Sequence, residues 1–150
     1  RSRADGYPCV ARLLVVLQFA AIAAVLLPAG RAGALWTGLA IAFAGIAWVG
    51  WTVLFNRWGN FNIRPEPKAG ARLVTAGPYR WVRHPMYLGS VAIGLGACVA
   101  GPQVWRIVAW LVLSATLVAK ARREEAGLLR EFPGYADYRR GRAFLIPGIW

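Results

Sequence analysis

The segment "GPYRWVRHPMYLG", residues 77–89, places a dense set of polar and aromatic side chains at the start of an apolar run. Pro85 suits the first position of a helix, where its missing N–H costs nothing, so His84 is predicted to cap that helix. Tyr87 follows three residues later, on roughly the same side of the helix. The free N–H groups and the dipole of such a helix end suit an anionic group. The segment therefore predicts a polar pocket at the mouth of an apolar helix.

A second interpretation of the same segment is an interfacial anchor. Aromatic side chains commonly form belts at the two surfaces of a membrane. In this interpretation Tyr79, Trp81, His84 and Tyr87 lie at headgroup depth. The arginines between them would contact lipid phosphates. The composition of the segment is compatible with both interpretations.

The surrounding sequence indicates an all-α integral membrane protein. The chain has 150 residues, is 58% hydrophobic, and holds apolar runs at 13–30, 32–56, 85–105 and 107–119. A membrane-spanning helix needs roughly 20 such residues. We predict one domain over 1–150 with four transmembrane helices and a C-terminal helical extension. The predicted spans are 11–29, 33–55, 85–101 and 103–120. The last run reaches spanning length only if Arg106 extends its side chain to the headgroups.

The first apolar run has an alternative interpretation as a signal peptide. Arg1 and Arg3 precede it, and small residues lie near Ala32 and Ala34, which is the usual layout of a cleaved leader. The sequence leaves open whether this run is retained.

Positive charge is concentrated in two regions, the loop 56–84 and the tail 121–150, and the chain carries a formal net charge of +12. The positive-inside rule predicts that both regions, both termini and the pocket face the cytoplasm, in what we expect to be a bacterial inner membrane. Many of these arginines need no other role than topology and attraction to anionic lipids. Because the basic residues flank membrane spans, nucleic acid is not an expected partner.

The segment after the fourth span predicts a helix that leaves the membrane and ends near Phe132, before Pro133. Lys120 and Glu124 are four residues apart and share one face of this helix. They form either an ordinary surface charge pair or part of a site. The aromatic residues that follow predict a tail that folds back onto the membrane or the pocket.

Taken together, two motifs resemble the isoprenylcysteine carboxyl methyltransferases and their relatives, the membrane phospholipid methyltransferases. "GPYRWVRHPMYLG" is similar to the family pattern G-x-Y-x-x-x-R-H-P-x-Y-x-G. "EEAGLLREFPGYADY", residues 124–138, is similar to E-E-x-x-L-x-x-x-F-x-x-Y-x-x-Y, and Pro147 follows near the end. The resemblance covers about half of the chain, from residue 64 onward.

The resemblance implies a site for S-adenosylmethionine at the cytoplasmic ends of the spans, enclosed by the C-terminal segment. The cofactor-binding residues it implies are Leu73, Val74, Tyr79, His84, Pro85, Met86, Tyr87 and Glu124. Glu124 would hold the polar end of the cofactor. Lys120, at a position that is often Arg in the family, would face the reacting group of the acceptor. "GLG" at residues 94–96 resembles a phospholipid methyltransferase motif, or is a helix-packing site.

The acceptor implied by the family is a lipophilic or lipidated molecule. Gly141, Ala143 and Phe144 stand where family members often carry Arg or Pro, so a prenylated cysteine is one candidate among lipophilic carboxylates, amines and isoprenoids. A carboxylate is already ionised and needs only a cation such as Lys120. An amine must lose a proton, for which His84 or Glu124 is a candidate base. No metal is expected, because one histidine and two distant cysteines cannot form a ligand cluster.

Two other function classes stay open at the level of sequence. Some sterol-reductase-like membrane enzymes, which use a nicotinamide cofactor, share an R-H-P-x-Y element, although they are usually larger. A small basic membrane protein without catalytic activity would also show the spans and the charge pattern. The sequence does not specify the oligomeric state.

Overall fold

The protein is an all-α membrane fold in this computed structural model, which describes residues 7–27, 33–56 and 73–148. Its helices are α1 (Tyr7–Leu26), α2 (Leu35–Asn56), α3 (Pro85–Ala100), α4 (Val104–Glu131) and α5 (Tyr135–Arg140), with a short 3₁₀ helix at Gly77–Arg80. The described part contains no strand; a single bridge pairs Val82 with Ala143. Arg1, Arg3 and Ala32 of the signal-peptide interpretation, and residues 57–72 of the basic loop, lie outside the described residues.

The helices run alternately up and down, so the starts of α1 and α3 and the ends of α2 and α4 share one end of the bundle. We call this the site end, and the opposite one the far end. By length and composition α1, α2 and α4 can each cross a membrane. Helix α3 has 16 residues, about 24 Å at 1.5 Å per residue, and is therefore shorter than a bilayer core of about 30 Å. The expectation of four full-length spans is thus met by three helices and a shorter apolar one.

Helix α4 is the longest element rather than the marginal span that the sequence predicted. Its 28 residues extend about 42 Å, so its last turns lie beyond the membrane core. It ends at Glu131 with Phe132 as the C-cap, which confirms the predicted end before Pro133. Lys120, Glu124 and Glu125 therefore project from one continuous helix.

The sequence made the length of the fourth span conditional on Arg106 extending to the headgroups. The Arg106 side chain instead bonds to neighbouring helices, and α4 is still long enough to span. This side chain is buried at the far end and donates to Ala97 O at 2.9 Å, to Gly101 O at 3.0 Å and to Leu27 O. These carbonyls terminate α3 and α1, where a cation complements the negative ends of the helix dipoles. One arginine at the start of α4 thus joins the ends of two other helices.

Helix α1 belongs to the bundle. Ala21 packs with Leu113 and Leu117 of α4 in a buried cluster, and Tyr87 of α3 packs against it. A signal peptide would have no reason to contribute to such a core, so this packing favours α1 as part of the membrane domain.

Helices α2 and α3 approach each other through small residues, which let helix backbones come close together. A Cβ placed on Gly38 would lie 2.4 Å from Ala100 N, and one on Gly96 would lie 2.5 Å from Gly38 O. A Cβ placed on Gly94 would instead lie 2.7 Å from Cδ1 of Trp110 in α4. Both glycines of "GLG" therefore pack against neighbouring helices.

The glycine contacts predict a difference between two alanine substitutions in α2. Gly38→Ala should lower the free energy of unfolding by about 1–3 kcal/mol, because the new methyl group meets backbone atoms that cannot move aside. Gly50→Ala is the matched control, since nothing lies within 4 Å of a Cβ there. Thermal unfolding in detergent measures both, and equal melting temperatures for the two variants would contradict the close α2–α3 contact.

Candidate active site

The chain enters the site through a tight turn before α3. Gly77 has a φ of 60°, a conformation that favours glycine, and a Cβ there would lie 2.5 Å from the Phe55 ring at the end of α2. His84 is the N-cap of α3, as predicted, although its side chain does not cap the helix. Pro85 is buried, and its carbonyl accepts a hydrogen bond from Trp48 Nε1 at 3.0 Å. These contacts fix the direction in which His84 leaves the backbone.

The His84 ring lies between two carboxylates of α4. Its Nδ1 is 3.5 Å from Glu124 Oε2, and its Nε2 is 3.3 Å from Glu125 Oε1. A neutral imidazole has one N–H donor, so only the protonated ring can donate to both carboxylates. Burial by itself lowers the pKa of His84, but the hydrogen bonds and charges of Glu124 and Glu125 outweigh burial and raise it overall. The arrangement therefore favours an imidazolium.

Tyr87 brings the predicted catalytic residues together. Its ring stacks on His84 with centroids 5.6 Å apart, and its hydroxyl donates to Glu124. Lys120 Nζ lies 5.7 Å from the centroid of the same ring, in the range of a cation–π contact. Lys120 and Glu124 thus converge on Tyr87 from one face of α4.

Lys120 is only 3% exposed, so it does not belong to an exposed surface pair. Its ammonium donates to Gln18 Oε1 of α1 at 2.6 Å. The interpretation of Lys120 and Glu124 as a solvated surface pair is therefore wrong, because the Lys120 side chain is buried.

Glu125 links the site to the C-terminal segment. Its Oε1 lies 2.7 Å from Arg83 Nε, and its Oε2 lies 3.5 Å from Arg139 Nε. Burial raises the pKa of Glu125, but His84, Arg83 and Arg139 outweigh this effect and lower it overall. Glu125 is therefore an ionised carboxylate surrounded by cations.

Residues 135–144, which we call the C-terminal strap, pack on the segment before α3. Arg83 Nη1 donates to the carbonyls of Arg139 and Arg142 at 2.9 and 3.0 Å, and Arg83 N donates to Ala143 O at 2.9 Å. Tyr138 Oη donates to Tyr79 O at 2.8 Å. The Phe144 ring meets His84 edge-on, with centroids 5.3 Å apart. The strap thus covers the His84 side of the site, one of the two predicted positions of the tail.

The other predicted cofactor residues lie around this cluster. Leu73 and Val74 are partly buried in the extended stretch that leads into the 3₁₀ helix, and Met86 is partly buried in the first turn of α3. The pKa of Tyr79 is raised, first by burial, then by Tyr138 and then by the nearby charge of Glu124. The roles of these residues in cofactor binding stay predictions.

Sequence reasoning missed three residues that the structure joins to the site. In the sequence Arg83 is not distinguishable from the other basic residues of the loop, and no pattern connects Glu125 or Gln18 with a partner on another helix. Gln18 carries a signal that the sequence offers: it is the one polar side chain in the apolar run 13–30. Within residues 7–27, 33–56 and 73–148, no group of three His, Cys, Asp or Glu side chains is arranged to hold a metal ion.

The fold and the site together describe a helical membrane protein whose site lies where α1, α3 and α4 meet a covering C-terminal segment. The chain belongs to the phospholipid methyltransferase family, which matches residues 34–133, and is thus a member of a family of membrane methyltransferases. The match includes His84, Lys120, Glu124 and Glu125, and it begins after α1.

Curated relatives share part of this sequence. The chain is 30% identical over 116 residues to the nickel-cobalt-cadmium resistance protein NccN of Alcaligenes xylosoxydans xylosoxydans, covering 76% of this chain and 53% of that protein. It is 34% identical over 79 residues to the cobalt-zinc-cadmium resistance protein CzcN of Cupriavidus metallidurans, covering 51% and 36%. It is 28% identical over 81 residues to the uncharacterized protein YpbQ of Bacillus subtilis, covering 54% and 48%. The chain therefore spans about half the length of these relatives or less.

The contacts of Glu125 predict that its charge holds the strap in place. Glu125→Gln should lower the free energy of unfolding by about 3 kcal/mol, because it leaves the buried Arg83 guanidinium without its carboxylate. Backbone hydrogen exchange should accelerate in residues 135–144. The control is Glu131→Gln, an exposed position on the same helix. The same exchange rates in both variants would show that the strap does not depend on Glu125.

The ionised cluster also predicts a pH window for stability. His84 has its pKa raised above 6.5, so its contribution is full below pH 6.5 and is lost as the pH rises through the folded-state value. Glu125 has its pKa lowered below 4.5, so its contribution is full above pH 4.5 and is lost as the pH falls through the folded-state value. Thermal stability in detergent should therefore be highest between these values. His84→Gln should remove most of the loss of thermal stability at high pH, since the chain has one histidine. An unchanged loss in this variant would contradict the role given to His84.

Proposed function

We propose that the protein is an S-adenosylmethionine-dependent methyltransferase that acts on a lipophilic acceptor at the cytoplasmic face of a bacterial inner membrane. The observation that carries the proposal is the convergence of Lys120 and Glu124 on Tyr87, beside His84. Both groups lie at the end of an apolar bundle. The buried Lys120 cation suits an anionic acceptor, and the partly buried Glu124 carboxylate suits the cationic groups of the cofactor. Family membership supports methyl transfer over the nicotinamide-dependent reductase.

The residues present fit the cofactor by their donor and acceptor chemistry. Glu124 is an acceptor for an ammonium group, and the positive end of the α3 dipole suits a carboxylate. Leu73, Val74 and Met86 provide apolar surface. The remaining contacts would come from Tyr79 and Tyr87, with His84 and Pro85 fixing the turn. When bound, the cofactor supplies a methyl group whose bond to sulfur breaks, with the electron pair left on sulfur, as the bond to the acceptor forms.

The proposed roles of the side chains follow from their surroundings. Lys120 holds the acceptor, and its positive charge favours a carboxylate, which releases no proton on methylation. A protonated His84 faces both Glu124 and Glu125 and has no free lone pair, so we assign it the role of orienting Glu124 and not that of a base. Most of the required rate gain comes from alignment and exclusion of water, to which the strap contributes by covering His84.

The cytoplasmic orientation of the site is supported by the basic residues around it. The exposed Arg80, Arg122, Arg130 and Arg140 lie on the segments at the site end, and such residues are enriched on the cytoplasmic side. They also favour contact with anionic membrane lipids. S-Adenosylmethionine would then reach the site from the cytosol while the acceptor remains in the bilayer.

The proposal predicts different effects for two alanine variants. Glu124→Ala should weaken the binding of S-adenosylhomocysteine about tenfold or more, since a charge-assisted hydrogen bond is worth about 1.5–3 kcal/mol. Lys120→Ala should bind S-adenosylhomocysteine normally but lose turnover, because an interaction made with the reacting acceptor appears in kcat/KM. Isothermal titration in detergent measures binding, and radiolabelled S-adenosylmethionine with a bacterial lipid extract measures transfer.

Glu131→Ala, at an exposed position on the same helix, is the control and should change neither quantity. NADPH is titrated in parallel. Binding of NADPH without S-adenosylhomocysteine would replace the methyltransferase proposal by the reductase, and equal small effects of both variants would remove Lys120 and Glu124 from the site.

A further inference from the structure

A polar side chain in the first helix reaches the site from outside the family match. Gln18 interrupts the apolar face of α1, and its Oε1 accepts the hydrogen bond from Lys120 Nζ at 2.6 Å. The two residues are 102 positions apart. Helix α1 ends at Leu26, whereas the family match begins at residue 34. The contact therefore joins the matched region to a helix that the match does not include.

The surroundings of this contact place it at the boundary between polar site and apolar core. Ala21 and Leu117, each three residues from one partner, lie in the buried cluster of α1 and α4. Tyr87 packs against that cluster and also carries the Lys120 ammonium over its ring. A polar pair at such a depth in a membrane bundle is costly, and marks a functional site by default.

We propose that Gln18 is a positioning residue that fixes the Lys120 ammonium, and that α1 thereby forms part of the acceptor site. The inference rests on the proposed function. A lysine ammonium is a point charge on a flexible four-carbon stem, so it has no fixed direction without a partner. Gln18 supplies a neutral acceptor, so this contact holds the ammonium without neutralising its positive charge. The acceptor that fits is an anionic head group on an apolar chain, with the head at Lys120 and the chain among the apolar side chains of the bundle.

The contact between Gln18 and Lys120 is tested without an acceptor by lysine acetylation. The chain has two lysines, Lys68 and Lys120, so mass spectrometry separates the two sites, and Lys68 reports the activity of the reagent. Gln18→Leu should speed acetylation of Lys120, because a buried ammonium that loses a hydrogen-bond acceptor gives up its proton more readily. Gln18→Glu should slow it by about tenfold, because a nearby opposite charge favours the charged form. A loosened bundle would speed acetylation in both variants.

The control is Phe19→Leu, a change at a side chain that is 52% exposed on α1, which should leave acetylation of Lys120 unchanged. Opposite effects of Leu and Glu at position 18 support the inference. Equal rates in the two variants, or faster acetylation in both, overturn it. These outcomes do not depend on whether the protein transfers methyl groups.

The acceptor part is tested by turnover with two probes, oleate and N-acetyl-S-farnesylcysteine, each a carboxylate on an apolar chain. Gln18→Leu should lower kcat/KM about tenfold or more, while the affinity for S-adenosylhomocysteine stays at the wild-type value. An unchanged kcat/KM overturns the positioning role. Transfer to neither probe by a wild-type protein that binds S-adenosylhomocysteine overturns the acceptor class alone, whereas absence of S-adenosylhomocysteine binding overturns the proposed function.

Discussion

The position of the His84 ring between two carboxylates is the interaction on which the rest of the site depends. Glu124 and Glu125 are consecutive residues of a helix, so their side chains diverge, and only a group lying between them can contact both. His84 occupies that position with Nδ1 at 3.5 Å and Nε2 at 3.3 Å. Glu124 accepts a hydrogen bond from Tyr87 inside the bundle, and Glu125 forms an ion pair with Arg83 at the strap. One ring therefore connects the membrane part of the site to its cover.

Helix α4 sets the spacing of these groups because it is continuous from the far end to the strap. Arg106 near its start terminates α1 and α3 through their carbonyls, while Lys120, Glu124 and Glu125 project from its other half. Desolvating this many charges is expensive and is offset only when each has a partner. The Arg106 contacts fix α1, α3 and α4 relative to one another. The charged side chains at the site end are therefore already close together, and their pairing costs less conformational entropy.

Sequence patterns predicted the helices, the N-cap at His84, the end of α4 before Pro133 and the proximity of His84 and Tyr87, because these features depend on local periodicity and turn chemistry. The family motif also identified Lys120 and Glu124 as residues to examine. The depth of Lys120, the pairing of Glu125 with Arg83 and the burial of Arg106 could not be predicted in this way. Each depends on which helix lies beside which, and a charged residue near a span end looks the same in sequence whether it meets lipid, water or a carbonyl.

Some of the site residues lie inside the family match, and one lies outside it. His84, Glu124 and the turn before α3 all lie within residues 34–133, and on the proposed assignment these residues hold the cofactor. Gln18 lies outside that range and contacts Lys120, the residue assigned to the acceptor. A cofactor common to a family requires a constant set of contacts, whereas acceptors differ between members. On this assignment a change at Gln18 would alter the acceptor side without altering His84 or Glu124, so acceptor choice would vary while the two motifs stay the same.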